Sequence, residues 1–580
     1  TYNAGNNLLK LITDLTPETE YQYRVRAGRN NSNWSEYSNT IDVLTDNVES
    51  TIARWTSEGW LGEPVFTKTL KIEFDYNTGT DTYGVEGLLG KSIVLDPGIK
   101  FTIASGTFVQ LIDNVINNSA PENFVIESNA NLNQRGNLPN VNAVTVKRNS
   151  FPIYRLDYTI WSSPVSDQNL LAFSPQTVPD RFYSYNSVDD IFTVIPNVAN
   201  ESFVPGRGYL IRSPNTWVPF GPGVSGVRFP GKFVGIMNTH NILVPLNAGF
   251  NMVGNPFPTD ISASSLVSQN STIGTTLYFW RRRNNIAATG PGTSFYSTWS
   301  PFGSTGIYFN PEDPYADDTE PDGIIKVAQG FMVSTKEETV TSSMQFTRNM
   351  KTEDSFTDVF LKQNGKLKND IIPVERHKIY LGLSGAPGIS GTLLMGLASD
   401  AADGKDDNDG KYFGDSPIAL TSLIGDESFV IQAKALPFEN TAQFALRFQT
   451  SIADSYTITL GKTTGMFSEE VNPILIDMLT NTETNLRNSS YTFASEIGIF
   501  DTRFKIVFIE NYLSNNDVVA NANAVVVMSK DNILSINAGT YTINDIEIFD
   551  MLGRKIYSKP NIDASATSIS DLRAQNQVIL

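Results

Sequence analysis

The densest set of metal-competent side chains in the sequence is Asp400-Ala-Ala-Asp403-Gly-Lys-Asp406-Asp407-Asn-Asp409-Gly410. Calcium takes six to eight oxygen ligands from a flexible loop, and Asp400, Asp403, Asp406, Asp407 and Asp409 offer several. Their spacing is not that of an EF-hand loop, which places a glycine at its centre and a distal glutamate. Two readings stand: a Ca2+ loop, or a solvated connection between two strands. Other chemistry is thin. The chain has no cysteine and two histidines, His240 and His377. A thiolate nucleophile, an iron–sulfur cluster and a thiolate zinc site are therefore excluded. No G-x-S-x-G elbow, H-E-x-x-H pair or Walker loop occurs. Both histidines sit at the starts of strand-like segments, and the expectation is a protein that is not an enzyme. Trp161, Tyr183, Tyr185, Tyr278, Trp280 and Trp299 fall in apolar strand-like runs. Such rings either fill a core or stack on sugar faces, with the core the favoured reading.

The elements that would carry these residues are short strands. The 580 residues contain 43 basic and 61 acidic side chains, a net charge of −18. That balance argues against nucleic acid, whose partners carry basic stripes, and against an anionic membrane surface. No apolar run approaches the roughly 20 residues of a membrane-spanning helix. Thr1–Asn7 is polar and lacks the basic start of a signal peptide. It reads as the middle of a domain, so a longer protein is expected. The fold class expected is all-β: a multidomain string of β-sandwich and β-solenoid-like modules.

Residues 50–148 hold glycines at 90, 98 and 106, each followed at +3 and +5 by apolar pairs such as Ile93 and Leu95. An eight-residue period of short strands fits a β-solenoid or a meander of hairpins. Residues 149–355 carry a duplication, divided at about 246. YTIWSSPV (158–165) aligns with FNMVGNPF (250–257), FYSY (182–185) with LYFW (277–280), RGYLI (207–211) with QGFMV (329–333), and Phe229 with Phe346. Polar residues 351–374 read as a linker, 375–513 as a β-sandwich of seven or more strands, and 514–524 as a second linker before a terminal domain, 525–580.

Three segments carry resemblances. Leu15, Pro17, Thr19 and Tyr21 match the L-x-P-x-T-x-Y corner of a fibronectin type III domain, so 1–46 is expected to be the C-terminal part of one, with Tyr21 bonding back to backbone. The duplicated modules resemble a pair found in exported surface proteins of Bacteroidota. Ile546–Tyr557 and Ile569–Leu572 resemble the C-terminal sorting domain of type IX secretion cargo. There Asp550, Gly553 and Arg554 form the sorting-signal hairpin turn, and the domain stops short of a usual last strand. The resemblance implies a secreted, cell-surface, adhesin-like or structural protein. Its expected partners are the outer-membrane translocon, a shuttle protein and surface glycans. The alternative is the ancillary region of a secreted polysaccharide-degrading hydrolase.

Overall fold

A computed structural model of the chain describes residues 15–16, 19–29, 33–44, 51–81, 87–221, 223–280, 296–306, 320–336, 340–352, 374–385, 390–414, 416–437, 442–468, 471–510, 525–530, 533–549 and 554–570. The chain is mostly β, 52% strand and 6% helix, with a solenoid of about three turns and one sheet close to a barrel. Two compact units divide it, the second comprising essentially Glu510–Leu580.

The eight-residue period is the strand spacing within one solenoid coil. Strands Ser92–Leu95, Phe101–Ile103 and Phe108–Leu111 do not pair with one another as hairpins would. Each pairs in parallel with the coils before and after. Ile93 stands beside Leu70 and Val115, Phe101 beside Phe124, and Val109 beside Leu132. Three faces of about eight residues close one coil, and like residues stack inward. Trp55, Tyr76, Phe101 and Phe124 form a continuous ladder with ring centroids 4.9, 5.5 and 4.9 Å apart. Gly98 and Gly106 turn corners with φ of +77° and +81°, a region open to glycine. Gly90 has a different task, since a methyl there would meet Leu70 Cγ at 2.5 Å. Asparagine side chains add amide bonds between coils: Asn117 Nδ2 donates to Ala143 O at 2.7 Å, and Asn140 Oδ1 accepts from Val115 N at 2.8 Å.

The duplicated halves share topology and register. In the first half the order is Tyr158–Trp161, Tyr209–Arg212, Phe182–Asn186, Ile191–Val194; in the second it is Phe250–Gly254, Gly330–Thr335, Ile273–Trp280, Tyr296–Trp299, with Ser304–Thr305 added at the edge. Ile160 faces Leu210 as Met252 faces Met332, and Phe182 faces Ile211 as Leu277 faces Val333. The two halves meet reciprocally, the signature of a two-fold relation. Trp161 bridges Gln329 while its counterpart Val253 bridges Arg207. Ser162 N donates to Ala328 O and Gly254 N to Gly206 O, both at 3.0 Å. The backbones touch because Gly208 and Gly330 lack side chains. A methyl at Gly208 would lie 2.7 Å from Met252 Cγ, and one at Gly330 would overlap Ile160 Cγ2. Solenoid and both modules share one hydrophobic core, running from Ala53 to Met350.

Residues 376–510 form a single continuous sheet curled towards a barrel, the form that the expected sandwich takes. Its two ends are tied by Asp477. That buried carboxylate accepts from Arg503 Nη2 at 3.0 Å and from Tyr491 Oη at 2.8 Å. At the expected linker start, Lys351 and Thr352 are instead packed: Thr352 N donates to Asp260 O at 2.9 Å, and Lys351 Nζ to Gln134 O at 3.0 Å. Residues 353–373 and 514–524 of the expected linkers lie outside the described residues.

Near the N-terminus, Thr16 N donates to Tyr21 Oη at 3.0 Å. A second motif there carried no sequence expectation. Ser35 and Ser38, three apart, each receive a backbone N–H on the hydroxyl and return one to the carbonyl of the same residue, Ala27 and Val25. That spacing lays Trp34 and Tyr37 against the guanidinium groups of Arg26 and Arg24 at 4.5 and 3.9 Å. In the terminal unit, Val526–Lys530, Ile533–Asn537 and Ala566–Ile569 make one sheet, and Ile546–Phe549 pairs with Lys555–Lys559 around buried Ile536, Ile548 and Ile569.

The contact between modules predicts a sharp contrast. Gly330→Ala should destabilise the chain by about 1–3 kcal/mol through overpacking against Ile160. Gly391→Ala, with nothing within 4 Å of the added methyl, should be neutral. Urea midpoints of the two variants check this.

Candidate functional site

The acidic loop is a dock. Asp400 pairs with Arg376 at 3.1 Å, and Asp407 with Lys336 at 3.2 Å. Asp406 accepts the backbone N–H groups of Ala402 and Asn408 with its two oxygens, the second at 2.7 Å. Asp409, almost fully buried, accepts from Ala433 N at 3.0 Å and from Asp406 N at 2.8 Å. Asp403 is exposed at the tip. Four of the five carboxylates therefore point at separate partners. Among the described residues no three acidic or histidine side chains are grouped to hold an ion, so the Ca2+ ligand set expected from composition is not assembled. The loop's carbonyls face the second module instead. Thr275 and Thr276 hydroxyls donate to Asp407 O and Asp409 O at 2.7 and 3.1 Å, Ser300 Oγ to Asn408 O at 2.8 Å, and Tyr278 Oη to Lys411 O at 2.8 Å.

This docking seats Phe413 among the rings of the duplicated modules. Phe413 stacks on Phe250 with centroids 4.0 Å apart and touches Tyr296 at 4.7 Å. From there a run of rings crosses both modules: Tyr296 to Trp280 at 5.3 Å, Trp280 to Phe192 at 5.5 Å, Phe192 to Tyr185 at 5.1 Å. Sequence reasoning separated these rings poorly. Trp161 and Tyr278 are core, 2% and 1% exposed. Tyr183, Tyr185, Trp280 and Trp299 are half-buried. Alternation along the strands carried the signal, because Tyr183 and Tyr185 share one sheet face while Phe182 takes the other. Phe192, Tyr296 and Phe413 were missed, since nothing local marks a ring that meets its neighbours only through tertiary docking.

Beside Tyr296 and Phe413 lies a small, partly open cleft of about 60 Å3 between the second module and the curled sheet. Thr298, Thr305, Thr392 and Ser416 add hydroxyls to it. The Ser416 hydroxyl has no hydrogen-bond partner among the described residues. Half-buried rings beside clustered hydroxyls suit a ligand with one apolar face and a polar rim.

The histidines are placed elsewhere. His377 Nδ1 accepts from Met466 N at 3.2 Å and its Nε2 lies 3.1 Å from Glu375. His240 is exposed. Of the expected sorting hairpin, Arg554 is exposed just before Lys555–Lys559. Asp550 and Gly553 lie outside the described residues.

Asp409 gives the dock a pH dependence. Burial, aided by the Asp406 charge, pushes its carboxyl up to about 7 against the pull of two backbone N–H donors and Lys405. In the unfolded chain it returns to the ordinary range near 4. Between those values the folded chain binds more protons, so its contribution is fully present below about 4 and is lost as pH rises through 7. Asp409→Asn removes this titration, so its melting temperature relative to wild type should rise between pH 4 and pH 8, whatever the fixed cost of the amide. Thermal melts at the two pH values check it.

No curated protein and no solved structure matches the chain. Residues 513–580 match a family described as a domain of unknown function (DUF8694), which sets the terminal unit apart from the rest. Residues 50–508, covering solenoid, duplicated modules and curled sheet together, match a second family, so the chain belongs to the family described as a domain of unknown function (DUF8693).

Proposed function

We propose that this chain is the C-terminal region of a secreted, non-enzymatic surface protein of adhesin-like or structural kind, exported by the type IX route with its terminal domain as the sorting signal. The observation that carries the reading is the terminal unit. It packs its own small core of Ile536, Ile548 and Ile569, and it contains the hairpin Ile546–Phe549 and Lys555–Lys559 on which the resemblance rests. A self-packed domain following a polar segment can be read by a receptor without disturbing what precedes it. The partners proposed for it are the outer-membrane translocon and its shuttle protein.

The remainder supports a binding rather than a reacting surface. Solenoid, paired modules and curled sheet share rigid β packing, and the half-buried rings beside the cleft suit surface glycans. The same cleft favours a second reading, an ancillary region of a secreted polysaccharide-degrading hydrolase. Polysaccharide cleavage by the longer natural protein would select that reading.

Deleting residues 525–580 should leave the upstream modules folded and strand them inside the cell envelope. Appearance of the truncated chain at the cell surface overturns the sorting assignment. For the cleft, Tyr296→Ala should weaken retention on surface polysaccharide about tenfold, the worth of one stacked ring. Affinity electrophoresis in polysaccharide gels measures it.

A further inference from the structure

Lys326 is wholly enclosed in the second module, its side chain 0% exposed, between two carboxylates. The local ladder puts it there. Ile261–Ser262 pairs antiparallel with Ile324–Ile325, so the residues just beyond, Asp260 and Lys326, stand side by side. Asp260 Oδ1 accepts Val327 N–H at 3.0 Å, which turns its Oδ2 towards Lys326 Nζ at 3.5 Å. Asp322 approaches from the other side, 3.7 Å from Nζ, with its own Oδ1 fixed by Ile324 N–H at 2.9 Å. Both separations exceed the roughly 2.7–2.9 Å of a charge-assisted bond.

The fold does not require these charges. Counting back from the matched glycines 208 and 330, the twin module carries Val204 where Lys326 stands and Asn200 where Asp322 stands. A buried ion pair often contributes no more stability than apolar residues of similar volume. Something other than packing therefore favours a lysine and two carboxylates at this one place. Enclosure also changes their chemistry. An amine and a carboxyl group held in contact away from water are the pair that condenses to an amide.

We propose that Lys326 and Asp260 join through an intramolecular isopeptide bond between Nζ and Cγ, with Asp322 as the proton carrier. The Lys326 ammonium gives a proton to the Asp260 carboxylate. The freed nitrogen lone pair then attacks Asp260 Cγ. Asp322, whose carboxyl is pushed up by burial, supplies a proton to the departing hydroxyl and takes one from the nitrogen. The Cγ–O bond breaks, the Nζ–Cγ bond forms and one water leaves. Nothing is oxidised or reduced, and one positive and one negative charge disappear together. Asp260 Oδ2 lies 3.5 Å from Lys326 Nζ, so the amine already stands against the carboxyl group it would attack. The bond would tie the segment before Ile261–Ser262 to the segment after Ile324–Ile325, closing the second module covalently.

Intact-mass spectrometry of the denatured full chain tests this. The expected mass is one water below that of the sequence. Trypsin should fail to cut after Lys326, and the peptide bearing it should emerge joined to the peptide bearing Asp260. Lys326→Arg should restore the full mass. A wild-type chain of full mass that trypsin cuts after Lys326 overturns the proposal, leaving a structural ion pair. A deficit that persists in Lys326→Arg, or a link to Asp322 in place of Asp260, overturns it as well.

Discussion

The close backbone approach at Gly208 and Gly330 is the constraint from which the central architecture follows. Side-chain-free positions on both sides let strand ends of the two modules hydrogen-bond reciprocally. Ala328 and Gly206, both with positive φ, turn the chain into that contact in each half. Once the halves are locked, Ile160, Leu210, Met252 and Met332 pack as one cluster, and the rings around them are forced to one side. The curled sheet then inserts Phe413 into that side. A change at either glycine thus reaches the cleft without touching it.

Charge burial follows a consistent rule in this acidic chain. Asp477, buried at the tied ends of the curled sheet, is held below the usual carboxylate range: burial opposes this, and the bonds from Arg503 and Tyr491 outweigh burial. Asp409 has backbone donors and no bonded cation, and burial prevails there. The difference is the partner, because a guanidinium supplies a full opposite charge and an amide supplies a partial one.

The solenoid and the duplication were legible because each writes a long-range relation as a local repeat. Ile93, Phe101 and Val109 mark three faces of a coil by spacing alone, though spacing could not tell coil from hairpins. The ordered matches between the modules preserved register, and two of them hold the residues that bridge to the opposite half, Trp161 with Gln329 and Arg207 with Val253. The acidic loop was ambiguous for the converse reason. Composition reports five carboxylates, and only the folded loop reveals that Asp406 and Asp409 are committed to its own backbone N–H groups and those of a neighbouring strand. Lys326 was invisible in the sequence: a lysine before an apolar segment reads as surface, and its enclosure depends on Asp260 arriving from 66 positions upstream.

Strand Val144–Ile153 has a double membership. It adds in parallel to Phe124–Ile126 of the last coil and pairs antiparallel with Val227–Gly235 of the first module. At the other end, the hairpin Ile52–Thr56 and Gly59–Leu61 folds back over the first coil with Trp55 and Trp60. An open coil end offers unpaired amides and carbonyls to any passing strand, which is how solenoids polymerise end to end. Here one of the three faces is continued at each end by the chain's own strands. The edge that each end of the stack offers to another molecule is narrowed to the remaining faces.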